Sequence, residues 1–497
     1  MKVKNILLVS NIHFPHNSAV HVHYFANGLV KLGLDCVVAV PSNKTAVSSV
    51  GHNLYKVSQF DEIDRVVDLF DDQRGPDVVH AWTPREDVRK FCTQLEERFR
   101  FKLVIHLEDN EERILEAFLG QSIEDLTQAN FDSIPPGLSH PKRHRDFLES
   151  ADGVTLIMDR LKEFVPDQIP TSILWPGADT QQFFPRSADV ELAKKIGIPF
   201  GTTVVCYTGN THLANMEEVR SLYLAVGNRN LQNKPTVLVR TGNYYNILRS
   251  DEIWIQQYTI EMGFVERAII PDLLAIADVL VQPGQSDRFN DYRFPSKIPE
   301  FLAMGKPVIL PSTNIGRFLT HLKNAIILPV VDETSLSAAI DQVLENPTLA
   351  ETLSEGAIQF VKSHLDWNQK SQDLKTFYET LFVAHNETIS LRQAFGRMQR
   401  QAQDLRLESH KVQTQLQHTQ SELDAAQTQL QHTQSELDAA QTQLQHTQSE
   451  LDAAQTQLQH TLVKLDTFQS TVTAMQSSKF WKLRQVWMRL KRLVLKG

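Results

Sequence analysis

From the start of the chain to about residue 185, short apolar runs alternate with segments of helical periodicity. The runs are NILLVS, DCVVAVP, DVVHAW, KLVIHL and GVTLIM, and the spacing predicts a helix near 19–32. Apolar runs of four to six residues without polar alternation are what strands of a parallel sheet look like when helices cover both faces. After the proline-bearing WPGADTQQFFP (Trp175 to Pro185) the pattern restarts with TTVVCYTGN, PTVLVRTGN, DVLVQPG, KPVILP and NAIILPV, up to about residue 365.

Two successive α/β units predict two Rossmann-like domains facing a cleft, with ligands outside the carboxyl ends of the strands. The expected boundaries are 1–180 for the first domain, 186–365 for the second and 366–390 for a closing helix. From 391 to 470 the pattern changes in kind. QTQLQHTQSELDAA occupies 413–426, 427–440 and 441–454 and returns in degraded form at 455–468. Leu416, Leu423, Leu430, Leu437, Leu444, Leu451, Leu458 and Leu465 recur every seven residues, beside a second seam of Thr419, Ala426, Thr433 and Ala440. A heptad of this kind fits an α-helical coiled coil through which the chain self-associates. Because Thr, Ala and Gln fill half the core layers, the pattern fixes neither strand number nor direction, and a single surface helix is the competing reading. His418, His432, His446 and His460 share the fourteen-residue spacing. Tandem duplication accounts for that without a metal site or a pH switch.

Composition narrows the class. The chain has 497 residues, 41% hydrophobic and 22% charged, which is the balance of a soluble protein with two or three cores. Three scattered cysteines, Cys36, Cys92 and Cys206, offer neither a disulfide framework nor a zinc pattern, so the expected address is the cytoplasm. The apolar core of MKVKNILLVSN is too short for a secretory signal, and no stretch approaches the length of a membrane span. The net charge is -9, yet residues 477–497 carry seven Lys and Arg and no acid, so the remainder carries -9 - 7 = -16. An acidic body argues against nucleic-acid binding. The tail SSKFWKLRQVWMRLKRLVLKG sets Phe480, Leu483, Trp487, Leu490 and Val494 on one helical stripe among its cations. It is expected to lie on an anionic membrane surface, making the protein peripheral, or to dock on a partner.

The chemistry concentrates in YRFPSKIPEFLAMGKPVILP, from Tyr292 to Pro311. Ser296 reads as an N-cap, Lys297 to Met304 as two helical turns and Gly305 as the residue past the helix end, which would make the helix start an anion site. Lys297 adds charge suited to a phosphate. Glu300 would repel a phosphate but could accept hydrogen bonds from a ribose diol, so the pair suggests a nucleoside diphosphate. An ordinary i,i+3 salt bridge is the plainer reading of the same spacing. The loop NIHFPHNSAVHVHYF crowds His13, His16, His21 and His23 together without a carboxylate or cysteine partner, and is expected to line the cleft rather than hold a metal. His80, in DVVHAW, reads equally well as a core or a cleft residue.

PSKIPEFLAMGKPVI resembles the donor-nucleotide segment of the group 1, or family 4, retaining glycosyltransferases, which have the GT-B fold. WPGADTQQFFP, VVCYTGN and LLAIADVLVQPG match other family segments in order, and the resemblance covers about residues 4–385. It implies a metal-independent transferase without a cofactor, moving a sugar from a nucleotide-diphosphate donor to a glycan or lipid-linked acceptor with retention, in polysaccharide biosynthesis. The first domain would take the acceptor and the second the donor. It places the ribose glutamate on Glu300 and the sugar-facing histidine on His106, which is followed by Glu108 and Asp109. Two departures stand out. The family's earlier glutamate falls on Tyr292, leaving the sugar contact to Asp291, Tyr292 or Asp287. Its Arg/Lys pair after the first strand of the second domain is replaced by Asn210, Thr211 and His212, so Arg240 and Lys297 are expected to hold the diphosphate with Ser296, Thr211 and the amides of Gly209 and Asn210. A catalytically retired nucleotide-sugar-binding scaffold is the alternative.

Overall fold

The computed structural model describes every residue except 1–2, 128–130, 132, 212–214, 244, 246, 384–386 and 495–497. Side chains are also left undescribed at 387–395, 397, 399, 403, 407, 493 and 494. His212, Val494 and Lys496 therefore lie outside what can be placed. The chain divides into two compact units, Met1–Gln403 and Asp404–Gly497.

The body holds two all-parallel sheets. In the first, β1 (Asn5–Val9), β2 (Asp35–Val40), β3 (Lys56–Gln59), β4 (Val78–Trp82), β5 (Lys102–Leu107), β6 (Gly153–Leu156) and β7 (Thr171–Ile173) are ordered β3-β2-β1-β4-β5-β6-β7. In the second, β8 (Thr203–Thr208), β9 (Thr236–Thr241), β10 (Thr259–Glu261), β11 (Val279–Val281), β12 (Val308–Pro311) and β13 (Ile326–Leu328) run β10-β9-β8-β11-β12-β13. The ten apolar runs read from the sequence are ten of these strands. The other three, β3, β7 and β10, each end a sheet and are only partly buried, so no continuous apolar run marks them.

Alternate residues of the first sheet serve two cores. Ile6, Leu8, Val38, Val78, Trp82 and Val104 pack beneath the helices Asn17–Lys31 and Trp367–Val383, while Leu7, Val9, Val37 and Val79 face the helix Glu86–Glu96. The helix Trp367–Val383 thus returns from the end of the second domain to the core of the first. Phe377 passes so close to Gly153 that a Cβ there would lie 2.8 Å from its ring. The long helix Glu387–Ser477 begins on the body, where Arg400, 1% exposed, donates to both carboxylate oxygens of Glu96 at 2.9 and 2.8 Å. Its 91 residues span about 137 Å at 1.5 Å per residue. Beyond Gln403 its heptad leucines are exposed in the single chain.

Candidate functional site

Each sheet has a point where the strand order reverses, β1/β4 in the first and β8/β11 in the second, and the loops leaving those strands form the walls of the candidate site. In the second sheet these are Gly209–Thr211 after β8 and 282–297 after β11. Two glycines let the first loop close down. A Cβ on Gly209 would lie 2.7 Å from the Tyr207 hydroxyl and 2.9 Å from Lys297 Cε, so the lysine stem runs directly across it. Gly242, at φ +95°, lets Asn210 Oδ1 accept from the Asn243 amide at 2.9 Å. The loop's own amides are partly spent. Gly209 donates to Thr241 at 3.2 Å and Thr211 to Asn243 at 3.3 Å, so of the two amides expected to meet a phosphate, only that of Asn210 makes no backbone bond among the described residues. The Thr211 hydroxyl is buried without a partner among the described residues.

Arg240 does not stand free. It is fully buried in a row with Tyr207 and Glu261, its neighbours in register, and donates to the Tyr223 hydroxyl at 3.0 Å and to the carbonyls of Gly209 and Asn243 at 3.1 and 3.0 Å. It holds the loop from beneath rather than offering a charge above it. The free charges are Lys297 and Arg293. Lys297 lies over the Tyr207 ring, 5.2 Å from ammonium to centroid. Burial first, and then Arg293 beside it, pulls its pKa down to about 7. Arg293 stacks on Phe289 at 4.5 Å, and its buried Nε has no partner among the described residues. Among the described residues neither cation forms an ion pair. Arg293 is the residue that sequence reasoning missed; the available signal was a second cation four positions before Lys297 in the same loop.

The helix that follows is shorter than expected. It runs Ile298–Ala303, with Lys297 at the N-cap and Gly305 past the end at φ +63°. Ser296 is not the cap, because Pro299, which lacks an N–H and suits the first turn, sets the helix start at Ile298. Six residues carry little dipole, so the side-chain cations dominate the field. The Lys297–Glu300 salt bridge does not form. Glu300 instead accepts from Arg267 at 2.6 Å, and burial raises the carboxyl's pKa despite that partner.

The residues considered for the missing glutamate are committed elsewhere. Asp291 accepts from Arg160 at 2.5 Å, from Ser286 at 3.0 Å and from Thr313. The Tyr292 hydroxyl donates to Glu163 at 2.7 Å. Asp287 caps its own turn by accepting from the amides of Phe289 and Asn290 at 2.8 and 2.6 Å. Arg160 and Glu163 come from the first domain, so Asp291 and Tyr292 brace the two domains together and are not open to a sugar. Three donors already engage Asp291, and the one proton of Tyr292 could reach a ligand only by breaking its bond to Glu163.

The first sheet's side is built differently. Register sets Trp82, His106 and Thr155 side by side on β4, β5 and β6. His106 is 1% exposed, packed 4.2 Å from the Trp82 ring, and its Nδ1 meets the Thr155 hydroxyl at 2.8 Å. Burial lowers its pKa to about 4, so the ring is neutral. His80 is a core residue, held by Thr155 at 2.9 Å and by Tyr378 at 2.7 Å. Glu108 gathers the Trp82 indole N–H at 2.8 Å, His21 at 3.3 Å and the Ser18 hydroxyl at 2.5 Å. Despite the burial that opposes ionisation, these bonds to His21 and Ser18 and the nearby His106 bring its pKa down to about 2. His23 is taken by Tyr55 at 2.7 Å, so two of the four loop histidines serve the fold. Asp109 alone at this strand end has no hydrogen-bond partner among the described residues. Burial, with Glu108 and Glu111 beside it, raises its pKa to about 6 against the pull of Arg85 and Arg293. The described residues contain no group of three or more His, Cys, Asp or Glu arranged to hold a metal ion.

Comparison with known proteins bears on the fold. Residues 202–346 match the family model described as glycosyl transferases group 1. No curated protein matches the sequence significantly. Among solved structures, the sucrose-phosphate synthase of Thermosynechococcus elongatus superposes with a TM-score of 0.57 at 16% identity, over 77% of this chain and 100% of that one. HepE of Anabaena, solved with UDP and glucose, gives 0.56 at 16% identity, over 76% of this chain and 100% of that one. WaaG, a glycosyltransferase involved in lipopolysaccharide biosynthesis, gives 0.51 at 13% identity, over 75% and 99%. At such identities the structures speak for the fold. Residues 202–346 are therefore a group 1 glycosyltransferase domain, and the body around them has the two-domain GT-B fold.

Proposed function

We propose that the body transfers a sugar from a nucleotide-diphosphate donor, bound on the second sheet, to an acceptor presented from the first. The observation that carries this reading is the pair Arg293 and Lys297, two cations that form no ion pair among the described residues, with the lysine stem crossing Gly209 at the β8/β11 switch point. Half-buried cations held only over aromatic rings are costly unless a ligand supplies the anion. A diphosphate does so, and as the bond from the sugar's anomeric carbon to the diphosphate oxygen breaks, the same cations stabilise the charge left on the departing group. The acceptor hydroxyl's oxygen bonds to that carbon on the same face as its proton passes to the departing diphosphate oxygen, giving retention.

In this reading Glu300 accepts hydrogen bonds from the ribose hydroxyls once Arg267 swings aside, which its surface position allows. Arg240 and Gly209 shape the phosphate loop, and neutral His106 positions Trp82 and Glu108 beneath the sugar. The diphosphate charge is met by side chains, so turnover should survive a chelator. Because HepE was solved with UDP and UDP-glucose, and the E. coli trehalose-6-phosphate protein with UDP-2-fluoro glucose, uridine donors are the first to test. The decisive measurement is release of nucleoside diphosphate from a donor panel, alongside binding by thermal shift. Release that disappears in Glu300→Ala supports the transferase. Binding without release supports a scaffold instead, the reading favoured by the commitment of Asp291 and Tyr292 to the domain brace.

The exposed heptad leucines beyond Gln403 fit self-association through a coiled coil. Paired Leu430→Asp and Leu437→Asp substitutions should lower the molar mass measured by light scattering; an unchanged mass would assign the helix to a single-stranded state. No helix among the described residues is long and apolar enough to cross a membrane.

A further inference from the structure

The long helix stops at Ser477 and a new one, Lys479–Val494, begins after Ser478, whose hydroxyl accepts from the Trp481 amide at 3.3 Å. The restart divides two surfaces of opposite chemistry. Along the preceding heptads, the exposed leucines sit among Glu422, Asp424 and their repeats, with no tryptophan. In the terminal helix there is no carboxylate.

Phe480, Leu483, Trp487 and Leu490, spaced three, four and three residues apart, form one apolar stripe with Val486 beside it. They are 81%, 67%, 58% and 54% exposed. Lys482 and Arg489, seven apart, line one edge of that stripe; Arg484 and Lys491, also seven apart, line the other. Lys491 reaches to 5.1 Å over the Trp487 ring, which sets a cation at the border of the apolar face. A helix with a narrow apolar face, an aromatic anchor and cations on both edges meets the two demands of a lipid surface at once. Its face enters the acyl boundary while long basic stems reach back to the phosphates. A protein groove would also accept the apolar stripe, but six cations without one acid would need a partner carrying a matching concentration of negative charge, which an anionic bilayer supplies uniformly.

We infer that Lys479–Val494 is a membrane-surface helix that anchors the protein to anionic lipid without crossing the bilayer. The inference stands on the tail alone and does not depend on the donor site. It is tested with the full-length protein by flotation with vesicles of phosphatidylcholine alone or mixed with phosphatidylglycerol. The parent protein should float with the mixed vesicles only, and binding should fall by at least about tenfold in high salt or when Lys482, Arg484, Arg489 and Lys491 are changed to Gln. Trp487→Glu with Leu490→Glu should abolish flotation while leaving the thermal unfolding of the body unchanged, which shows that the body remains folded. Equal flotation of parent and Trp487→Glu/Leu490→Glu proteins would overturn the inference. So would failure of the parent to float with either vesicle. A fall in molar mass of the Trp487→Glu/Leu490→Glu protein, without any flotation of the parent, would assign the face to a second copy of the chain and overturn it equally.

Discussion

The two sheets are topologically alike, yet their carboxyl ends are finished in opposite ways. At the first, Glu108, His21, Ser18, Trp82, His106, Thr155, His80 and Tyr378 satisfy one another, Asp109 alone standing outside the network, and the histidines His80 and His106 are neutral. At the second, Lys297 and Arg293 lie on aromatic faces with no ion pair among the described residues. A completed polar network presents a fixed shape, whereas an incomplete one presents a charge awaiting a ligand. Under the proposed function, the difference puts the charged half of the chemistry on the second sheet and the rigid wall on the first.

The largest effect should come from breaking the completed side. Glu108→Ala strips the acceptor from the Trp82 indole, His21 and Ser18 and should cost about 3 kcal/mol of stability in denaturant unfolding. Because the Glu108 pKa is depressed from 4.5 to about 2, its contribution is present above pH 4.5 and is lost as pH falls towards 2. Glu108→Gln should lack that acid slope. A variant as stable as the parent would mean that the network is ornamental and the contrast false.

The unfinished side should respond through binding rather than stability. Lys297→Met and Arg293→Ala should each weaken UDP affinity by about tenfold, and together by about a hundredfold, by calorimetry. Lys297→Met should meanwhile leave the melting temperature unchanged or higher, because it removes a half-buried cation that has no ion pair among the described residues. Lower stability with unchanged affinity would reverse the assignment of the two sides.

A smaller effect separates Glu300 from its present partner. Glu300→Gln should lower UDP affinity several-fold, about 1 kcal/mol. Arg267→Ala should not lower it, and only Glu300→Gln should bind UDP and its 2′-deoxy analogue alike. If Arg267→Ala weakens UDP as much as Glu300→Gln does, the ion pair is itself part of the site.

The smallest is the dependence on pH. With its pKa lowered from 10.5 to about 7, Lys297 loses its proton in the free protein as pH rises through 7. UDP affinity should therefore decline above pH 7, a step absent in Lys297→Met. Folding stability should move the other way, rising from pH 7 towards 10.5, because the unfolded chain holds the proton longer.

Apolar runs sufficed to locate the ten strands that helices or sheet neighbours bury, and motif order sufficed for the fold. The edge strands β3, β7 and β10 escaped because half-exposed strands need no continuous apolar run. Lys297 and Glu300 were legible as a pair, but the sequence suggested a bond between them, whereas Glu300 turns to Arg267, 33 residues earlier in the chain. Arg240 and Arg293 show the same division. Both are arginines at loop mouths, and only the fold sinks one under Gly209 and leaves the other without an ion pair.

Local pattern and chain order thus determined the two sheets, the long helix and the basic tail, because hydrophobic periodicity is a property of neighbours in sequence. Which polar groups find partners and which are left without an ion pair was decided only by tertiary structure. Hydrogen-bond and ion-pair partners are set by distance in space, and in this protein the partners that matter, Glu108 with Ser18, Asp291 with Arg160 and Arg267 with Glu300, lie 90, 131 and 33 residues apart.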